Sequence, residues 1–222
     1  MANRAYLSVW CNGWSADQQL ELLVKFLATV PHATERPGFT RLTVRAVGPG
    51  EAPLAEYDLR ARPADAVRIG ELAAEQMHAD SAFELEAHWD LWVRQAGQWV
   101  LAPQRLEIFC YGEGYDDGIF DEAGHFQVNL GFEHLLTGHA GLLGMGARPL
   151  AQPAHPAEEE FLRTMAQPGN LRTYHEKTRE NIRHVYRWMM GIERALPVAR
   201  IRLWSEGEEN LEARLEEILA VR

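Results

Sequence analysis

The sequence predicts an α+β fold: a single, largely antiparallel (mixed) sheet of about six or seven strands, with helices packed on one face and a C-terminal helical section. Three observations lead to this fold class. Residues 83–94 alternate between apolar and polar side chains, as in a strand with one buried face. Residues 15–30 and 171–194 repeat apolar side chains at helical spacing. Short turns separate several of the strand-like segments, as they do between antiparallel strands.

The N-terminal part is predicted to mix strands and helices. Its strands are expected at 5–11, 39–47 and 54–60, and its helices at 15–30 and 63–77. Ser15 and Gln18 match the capping-box pattern that begins a helix, and Pro31 is expected to end that helix. Pro63 is placed at the first position of the second helix. The side chains expected to face inward from that helix are Val67, Ile69 and Leu72.

Residues 83–94 show the clearest period in the chain. The odd-numbered positions are apolar, and the even-numbered ones are mostly polar: Glu84, Glu86, His88, Asp90, Trp92 and Arg94. Strict alternation over this length predicts a strand with one buried and one polar face. The polar face is expected either to be open to water or to be roofed by residues 137–194. In the second case it would line a cavity.

The rest of the chain is predicted to complete the sheet and to add the helical section. After a hairpin turn at 95–98, strands are expected at 99–111 (interrupted near Pro103), 125–131 and 198–204. Helices are expected at 157–167, 171–194 and 208–221, and residues 137–156 form a Gly/Pro-rich connection. We expect one domain, 1–222, with a sheet core at 1–136 and a helical section at 157–222 whose last strand rejoins the sheet.

Charge and composition argue against several classes of function. The formal net charge of −10 is unfavourable for a nucleic-acid partner, because phosphate binding needs a concentrated basic face. No stretch approaches the ~18 consecutive apolar residues of a membrane span. Two cysteines are too few for a disulfide scaffold, and the N-terminus lacks the apolar core of a signal peptide. We therefore expect a cytosolic protein with no nucleic-acid partner, no membrane partner and no cofactor.

The segment 110–125 carries five carboxylates: Glu113, Asp116, Asp117, Asp121 and Glu122. It lacks the calcium-loop pattern, and the adjacent Asp116 and Asp117 point to opposite sides of an extended backbone. A solvated connection between two strands is the first interpretation, and no metal site is predicted. The alternative is a recognition surface of aromatic and acidic side chains. Its ligand-binding residues would be Tyr111, Glu113, Tyr115, Asp116 and Asp117.

The candidates for catalysis are His88, Asp90 and His125. His88 and Asp90 share the polar face of one strand, and His125 could approach them if its strand is adjacent. Such a group could ligate a metal or act as an acid/base pair. His175 and His184 do not form a zinc-protease motif, because nine residues place them on opposite sides of a helix.

The helix predicted at 171–194 carries an arginine stripe opposite its apolar side. Residues 170–194 contain six basic and three acidic side chains. Arg179 and Arg183 are therefore candidates for binding an anionic ligand or an acidic partner surface. The alternative is that Glu176 and Glu180 neutralise the stripe through pairs three or four residues apart.

Two functions from different classes follow from these observations. The first is a non-catalytic, bacterial-type cytosolic protein that binds a protein partner or a small molecule through the acidic loop or the polar sheet face. The second is a metal-assisted hydrolase or lyase that uses His88, Asp90 and His125 with carboxylates from residues 113–122. Whether the chain is an enzyme, and its oligomeric state, are left open at this point.

Overall fold

The computed structural model describes residues 3–139, 141–143 and 156–221. The strands are β1 (Arg4–Cys11), β2 (Arg41–Ala46), β3 (Ala55–Asp58), β4 (Ser81–Gln95), β5 (Gln98–Tyr111), β6 (Phe126–Phe132) and β7 (Val198–Ser205). The helices are α1 (Ala16–Leu27), α2 (Ala66–Ala74), α3 (Phe120–Ala123), α4 (His134–Thr137), α5 (Pro156–Met165), α6 (Pro168–Ala195) and α7 (Leu211–Ala220). A 3-10 turn lies at Tyr115–Asp117.

The seven strands form one sheet in the order β3-β2-β4-β5-β6-β1-β7, and every neighbouring pair is antiparallel. The predicted fold class is therefore confirmed. The predicted return of the last strand to the sheet is also confirmed, because β7 pairs with β1 along its length. Of the predicted connection 137–156, residues 140 and 144–155 lie outside the described residues.

Strand β4 has the two faces that its sequence predicts. Its odd-numbered side chains from Phe83 to Val93 are at most 8% exposed. On the other face, Glu84, Glu86, Asp90 and Trp92 are half-buried, while His88 is 9% exposed. The period of two thus sorts apolar from polar side chains along the whole strand.

Helices α1 and α6 pack on the apolar face. Phe26 of α1 stacks on Phe126 of β6 with ring centroids 4.3 Å apart. Trp188 of α6 contacts both Phe26 and Trp89, at 6.2 and 5.9 Å between centroids. The C-terminal half of the long helix therefore covers the apolar side of the sheet. Its N-terminal half reaches the polar face at Trp92, where the Lys177 ammonium lies 3.5 Å from the ring centroid, so residues from the predicted roof 137–194 lie beside this face near the end of β4. The other end of the polar face is covered by the connection between β5 and β6, through Tyr115.

Several element boundaries differ from the prediction for local reasons. Helix α1 begins after Ser15 as predicted, but Ser15 makes no side-chain cap bond, so the predicted capping box is wrong. Helix α2 begins after Asp65, whose carboxylate accepts a hydrogen bond from the Arg68 amide, and not at Pro63. This start leaves Val67 62% exposed instead of inward.

Strand β5 is continuous through Pro103, where an interruption was expected. Pro103 pairs with Asp90 of β4, and it lies beyond Glu107, where the pairing of β5 with β6 stops. The edge of β5 that faces away from β4 therefore needs no amide donor at this position, and a proline is tolerated there.

Among the described residues, no helix combines the length and the apolar character that crossing a membrane requires.

The backbone conformation of Val47 leads to a prediction about the stability of the protein. Val47 has a φ of 67°, a left-handed conformation that a β-branched residue rarely adopts, and it is 62% exposed. Replacing Val47 with Asn should raise the free energy of unfolding by about 0.5–1 kcal/mol, because Asn tolerates this region and little burial is lost. Urea unfolding at constant pH measures the change.

Val67→Asn is the matched control, because Val67 is equally exposed but helical. Its stability should change by less than about 0.5 kcal/mol, since Val and Asn have similar helix propensities. Equal changes in the two variants would contradict the assignment of strain to Val47.

Candidate functional site

A large cleft lies at the tip of the β4–β5 hairpin. Its volume is about 900 Å³, and it lies between the hairpin tip, the end of β6 and the helices α4, α5 and α6. We call it the aromatic cleft, because its walls include the rings of Trp92, Trp99, Phe132, Phe161 and Tyr174. A volume of this size is within the range of small-molecule sites.

Three of these rings pack into one wall. Trp99, at the start of β5, stacks on Tyr174 of α6 with 5.4 Å between ring centroids and 23° between planes. Phe161 of α5 meets Tyr174 edge to face at 5.5 Å. Both arrangements are favourable for aromatic pairs and keep each ring in one orientation. The wall is therefore preformed by residues from three elements.

His139 lies beside this wall and contacts polar groups. Its Nε2 lies 2.9 Å from Oε1 of Glu158, and its ring meets Phe161 edge to face at 5.7 Å. Its backbone amide donates a hydrogen bond of 2.7 Å to the Tyr174 hydroxyl oxygen. Burial raises the pKa of Tyr174 to about 12, so this hydroxyl keeps its proton at neutral pH.

Two cations lie against the aromatic side chains of the cleft. The guanidinium of Arg94 is 5.8 Å from the centroid of Phe161, and the ammonium of Lys177 is 3.5 Å from that of Trp92. Such cation–π contacts place positive charge at the ring faces. Lys177 also pairs with Glu180 at 3.4 Å, whereas Arg94 has no ion-pair partner within the described part of the chain.

Asn181 fixes α6 against the hairpin beside the cleft. Its amide accepts a bond from the backbone N–H of Trp92 (2.8 Å) and donates to the carbonyl oxygens of Trp92 and Leu135 (3.0 Å each). Strand β4 has passed the end of β2 here, because their pairing stops at Glu86. The Asn181 side chain therefore bonds to the backbone groups of Trp92 that a neighbouring strand would otherwise pair with.

His88 and Asp90 lie on the polar face, as expected, but each has a structural partner. Nε2 of His88 is 3.3 Å from Nη1 of Arg36, which donates to it. Oδ2 of Asp90 accepts from both the amide and the hydroxyl of Thr34, at 2.9 and 3.0 Å. Burial, together with the charge of Arg36, lowers the pKa of His88. Both residues hold the 33–36 segment against β4.

His125 lies elsewhere. It is 6% exposed, and its ring is placed between Trp14 and Phe120, with centroids 4.4 and 5.0 Å away. Its Nδ1 accepts a 2.9 Å bond from the Cys11 amide. Burial lowers the pKa of His125 to about 4.

The three catalytic candidates are not brought together. The carbonyl of His125 bonds to Tyr111, and Tyr111 pairs with Ala82, six positions before His88 on β4. At ~3.3 Å per residue this is about 20 Å along the strand, much longer than a shared metal site allows. Across the described ranges, no three His, Cys, Asp or Glu side chains are grouped so that they could hold a metal ion.

The acidic connection is a small folded unit and not an extended loop. Tyr111 and Tyr115 are 7% and 3% exposed and stack at 5.8 Å, so their rings face a local apolar cluster. Asp116 and Asp117 both have left-handed backbone angles, and the amide of Asp116 donates to Val47. Glu113 and Asp117 are exposed. The proposed recognition surface is thus reduced to its carboxylates.

The two arginines predicted to bind an anion have different surroundings. Nε of Arg179 donates to the carbonyl of Ile218 (3.0 Å), and His175 Nε2 lies 3.1 Å from the same oxygen. Both side chains thus cap the C-terminal end of α7, where cations are favourable. Arg183 is exposed. Arg179 and Arg183 therefore do not act on one common point in the way the stripe suggested.

The cleft residues were not predicted as a site from the sequence. Tyr174 belongs to the inward stripe of the long helix, and Trp92 to the polar face of β4, and these are the signals that the sequence carries. Trp99, His139 and Phe161 belong to no recognisable motif. The members of the cleft lie far apart in the chain, so only the packing of α5 and α6 on the hairpin assembles them.

Asn181→Leu should lower the free energy of unfolding by about 2–4 kcal/mol, because the N–H and C=O groups of Trp92 would be left buried without partners. Asn12→Leu is the control, since Asn12 is exposed and makes a side-chain bond of 3.5 Å. It should cost less than about 0.5 kcal/mol. Chemical denaturation measures both, and equal losses would argue against the bridging role.

The lowered pKa of His125 predicts that the folded protein loses stability in acid. The His125 pKa of about 4 in the folded protein lies below the ordinary histidine value of 6.5, so the unfolded chain binds the proton more readily as the pH falls through this window. Between about pH 7 and pH 4.5, His125 should contribute about 2 kcal/mol of lost stability. His125→Gln should reduce this pH-dependent loss by that amount, whatever its effect at neutral pH.

The control for this measurement is His78→Gln, because the side chain of His78 is exposed. It should leave the pH dependence of urea unfolding as it is in the wild type. The explanation would fail if His125→Gln showed the same dependence as the wild type and as the control.

Comparison with known proteins gives no relative from which a function could be transferred: no family model, no curated protein and no solved structure matches the chain.

Proposed function

We propose that this protein is a non-catalytic binding protein that takes up a small, largely apolar molecule in the aromatic cleft. The observation that carries the proposal is the cleft itself, with a volume of about 900 Å³ and a wall of packed rings. Sites of this kind are concave, mostly apolar and largely formed before the ligand arrives.

The rings of the cleft provide affinity without much loss of side-chain freedom. Trp99, Phe161 and Tyr174 already restrain one another, so a ligand that stacks on them does not have to order them. Aromatic side chains also offer large contact areas, and a planar apolar ligand would replace water on them. The expected ligand therefore has a flat apolar body.

Two further features belong to this proposal. The net charge of −10 supports our expectation that no nucleic acid is the partner. Cys11 and Cys110 are both unpaired and buried, which is the ordinary state in a reducing compartment. We therefore keep cytosolic residence as part of the proposal.

A screen of aromatic fragments by ligand-observed NMR tests the proposed function. Fragments that bind should be displaced or weakened by Thr164→Trp, because Thr164 lines the cleft and an indole there would fill part of it. We expect a loss in affinity of about tenfold or more, equivalent to ~1.4 kcal/mol.

Thr173→Trp is the matched control. Both threonines are half-buried on a helix and donate to the carbonyl oxygen four residues earlier, Glu160 in one case and Gly169 in the other. Thr173 is not part of the cleft wall, so its variant should bind within about twofold of the wild type. Failure of all fragments to bind, or equal binding by the two variants, would refute the proposed function.

A further inference from the structure

The cleft contains hydrogen-bond donors that have no acceptor among the described residues. The Tyr174 hydroxyl accepts from the His139 amide, and its own proton has no acceptor among the described residues. Tyr174 is 5% exposed, and a buried hydroxyl without an acceptor is unfavourable. An oxygen atom on a ligand would supply the missing acceptor.

Arg94 adds a positive charge to the same wall. Its guanidinium is 5.8 Å from the ring centroid of Phe161, whose ring also contacts Tyr174 and His139 at 5.5 and 5.7 Å. Phe161 is thus the common neighbour of Arg94 and Tyr174. The guanidinium of Arg94 makes no ion pair or hydrogen bond with the described part of the chain, and its five N–H groups are all donors.

The acidic groups of the cleft do not make it favour a cationic ligand over an anionic one. Oε1 of Glu158 is already 2.9 Å from the ring of His139. Glu160 is exposed, so water and salt screen its charge. A cationic ligand would also meet Lys177, which lies over the Trp92 ring at 3.5 Å. The rings of Phe161 and Trp92 could each receive a cation, but each already lies beside a cationic side chain of the protein.

On these grounds we propose that the ligand of the aromatic cleft is an aromatic carboxylate, whose ring packs against Trp99 and Phe161 and whose carboxylate is bound by Arg94 and the Tyr174 hydroxyl. This assignment rests on the proposed function and adds the chemical class of the ligand. A guanidinium suits a carboxylate because its planar fork can donate two parallel hydrogen bonds.

Three probes with one ring system separate charge from shape: naphthalene-2-carboxylate, its neutral amide, and 2-naphthylmethylammonium. Their dissociation constants for the wild-type chain can be measured by NMR titration or calorimetry. The carboxylate should bind about tenfold more tightly than the amide, as a charge-assisted pair of ~1.4 kcal/mol requires. The ammonium probe should bind more weakly than either.

Arg94→Gln should remove the preference, so that the carboxylate binds about as weakly as the amide while the affinity for the amide stays within about twofold. The matched control is Arg200→Gln. It removes the same charge from an arginine that also lies over a ring, that of Trp10 at 4.5 Å, on the distant strand β7. The control should keep the preference of the wild type.

The outcomes distinguish this inference from the proposed function. Equal binding of carboxylate and amide, tightest binding of the ammonium, or a preference that survives Arg94→Gln would overturn the aromatic carboxylate and leave the binding function in place. Binding of none of the three probes would count against both. Thermal unfolding of each variant, with a midpoint close to that of the wild type, confirms that the comparison is between folded proteins.

Discussion

The period of two along β4 is the constraint on which the rest of the structure depends. Successive side chains of a strand point to opposite faces, so the apolar series from Phe83 to Val93 must face one layer of helices. A slip of one residue in β4 relative to both of its neighbours would bring Glu84 and Glu86 into that layer without partners. The register of β4 with β2 and β5 is therefore strongly specified, and with it the side of the sheet on which α1 and α6 pack.

The length of β4 and β5 creates the cleft. Both strands extend beyond their outer neighbours, because pairing with β2 ends at Glu86 and pairing with β6 begins at Glu107. The projecting hairpin has backbone groups that need partners, and Asn181 supplies them for Trp92. Since α6 is held there, its ring at Tyr174 lies over the start of β5. The cleft is thus a consequence of covering an exposed strand edge.

Polar residues in the middle of the sheet and at the hairpin tip have different tasks. On the polar face, Glu84 pairs with Arg45, and Glu86 and Glu107 pair with Arg105, so most charges are satisfied by neighbours across strands. In the cleft, by contrast, Arg94 and the proton of Tyr174 have no protein partner among the described residues. This contrast is why the site is assigned to the hairpin tip, although the carboxylates of residues 113–122 are more prominent in the sequence.

The fold class, the faces of β4, the positions of most helices and the return of β7 could all be predicted from the sequence, because these depend on local periods and on short turns. The sequence could not place Val67 outside, since the start of α2 depends on a cap at Asp65. Only the tertiary structure separated His88 from His125 and joined Trp99, His139, Phe161 and Tyr174. Those distances depend on strand order and on the docking of α5 and α6, which no local pattern encodes.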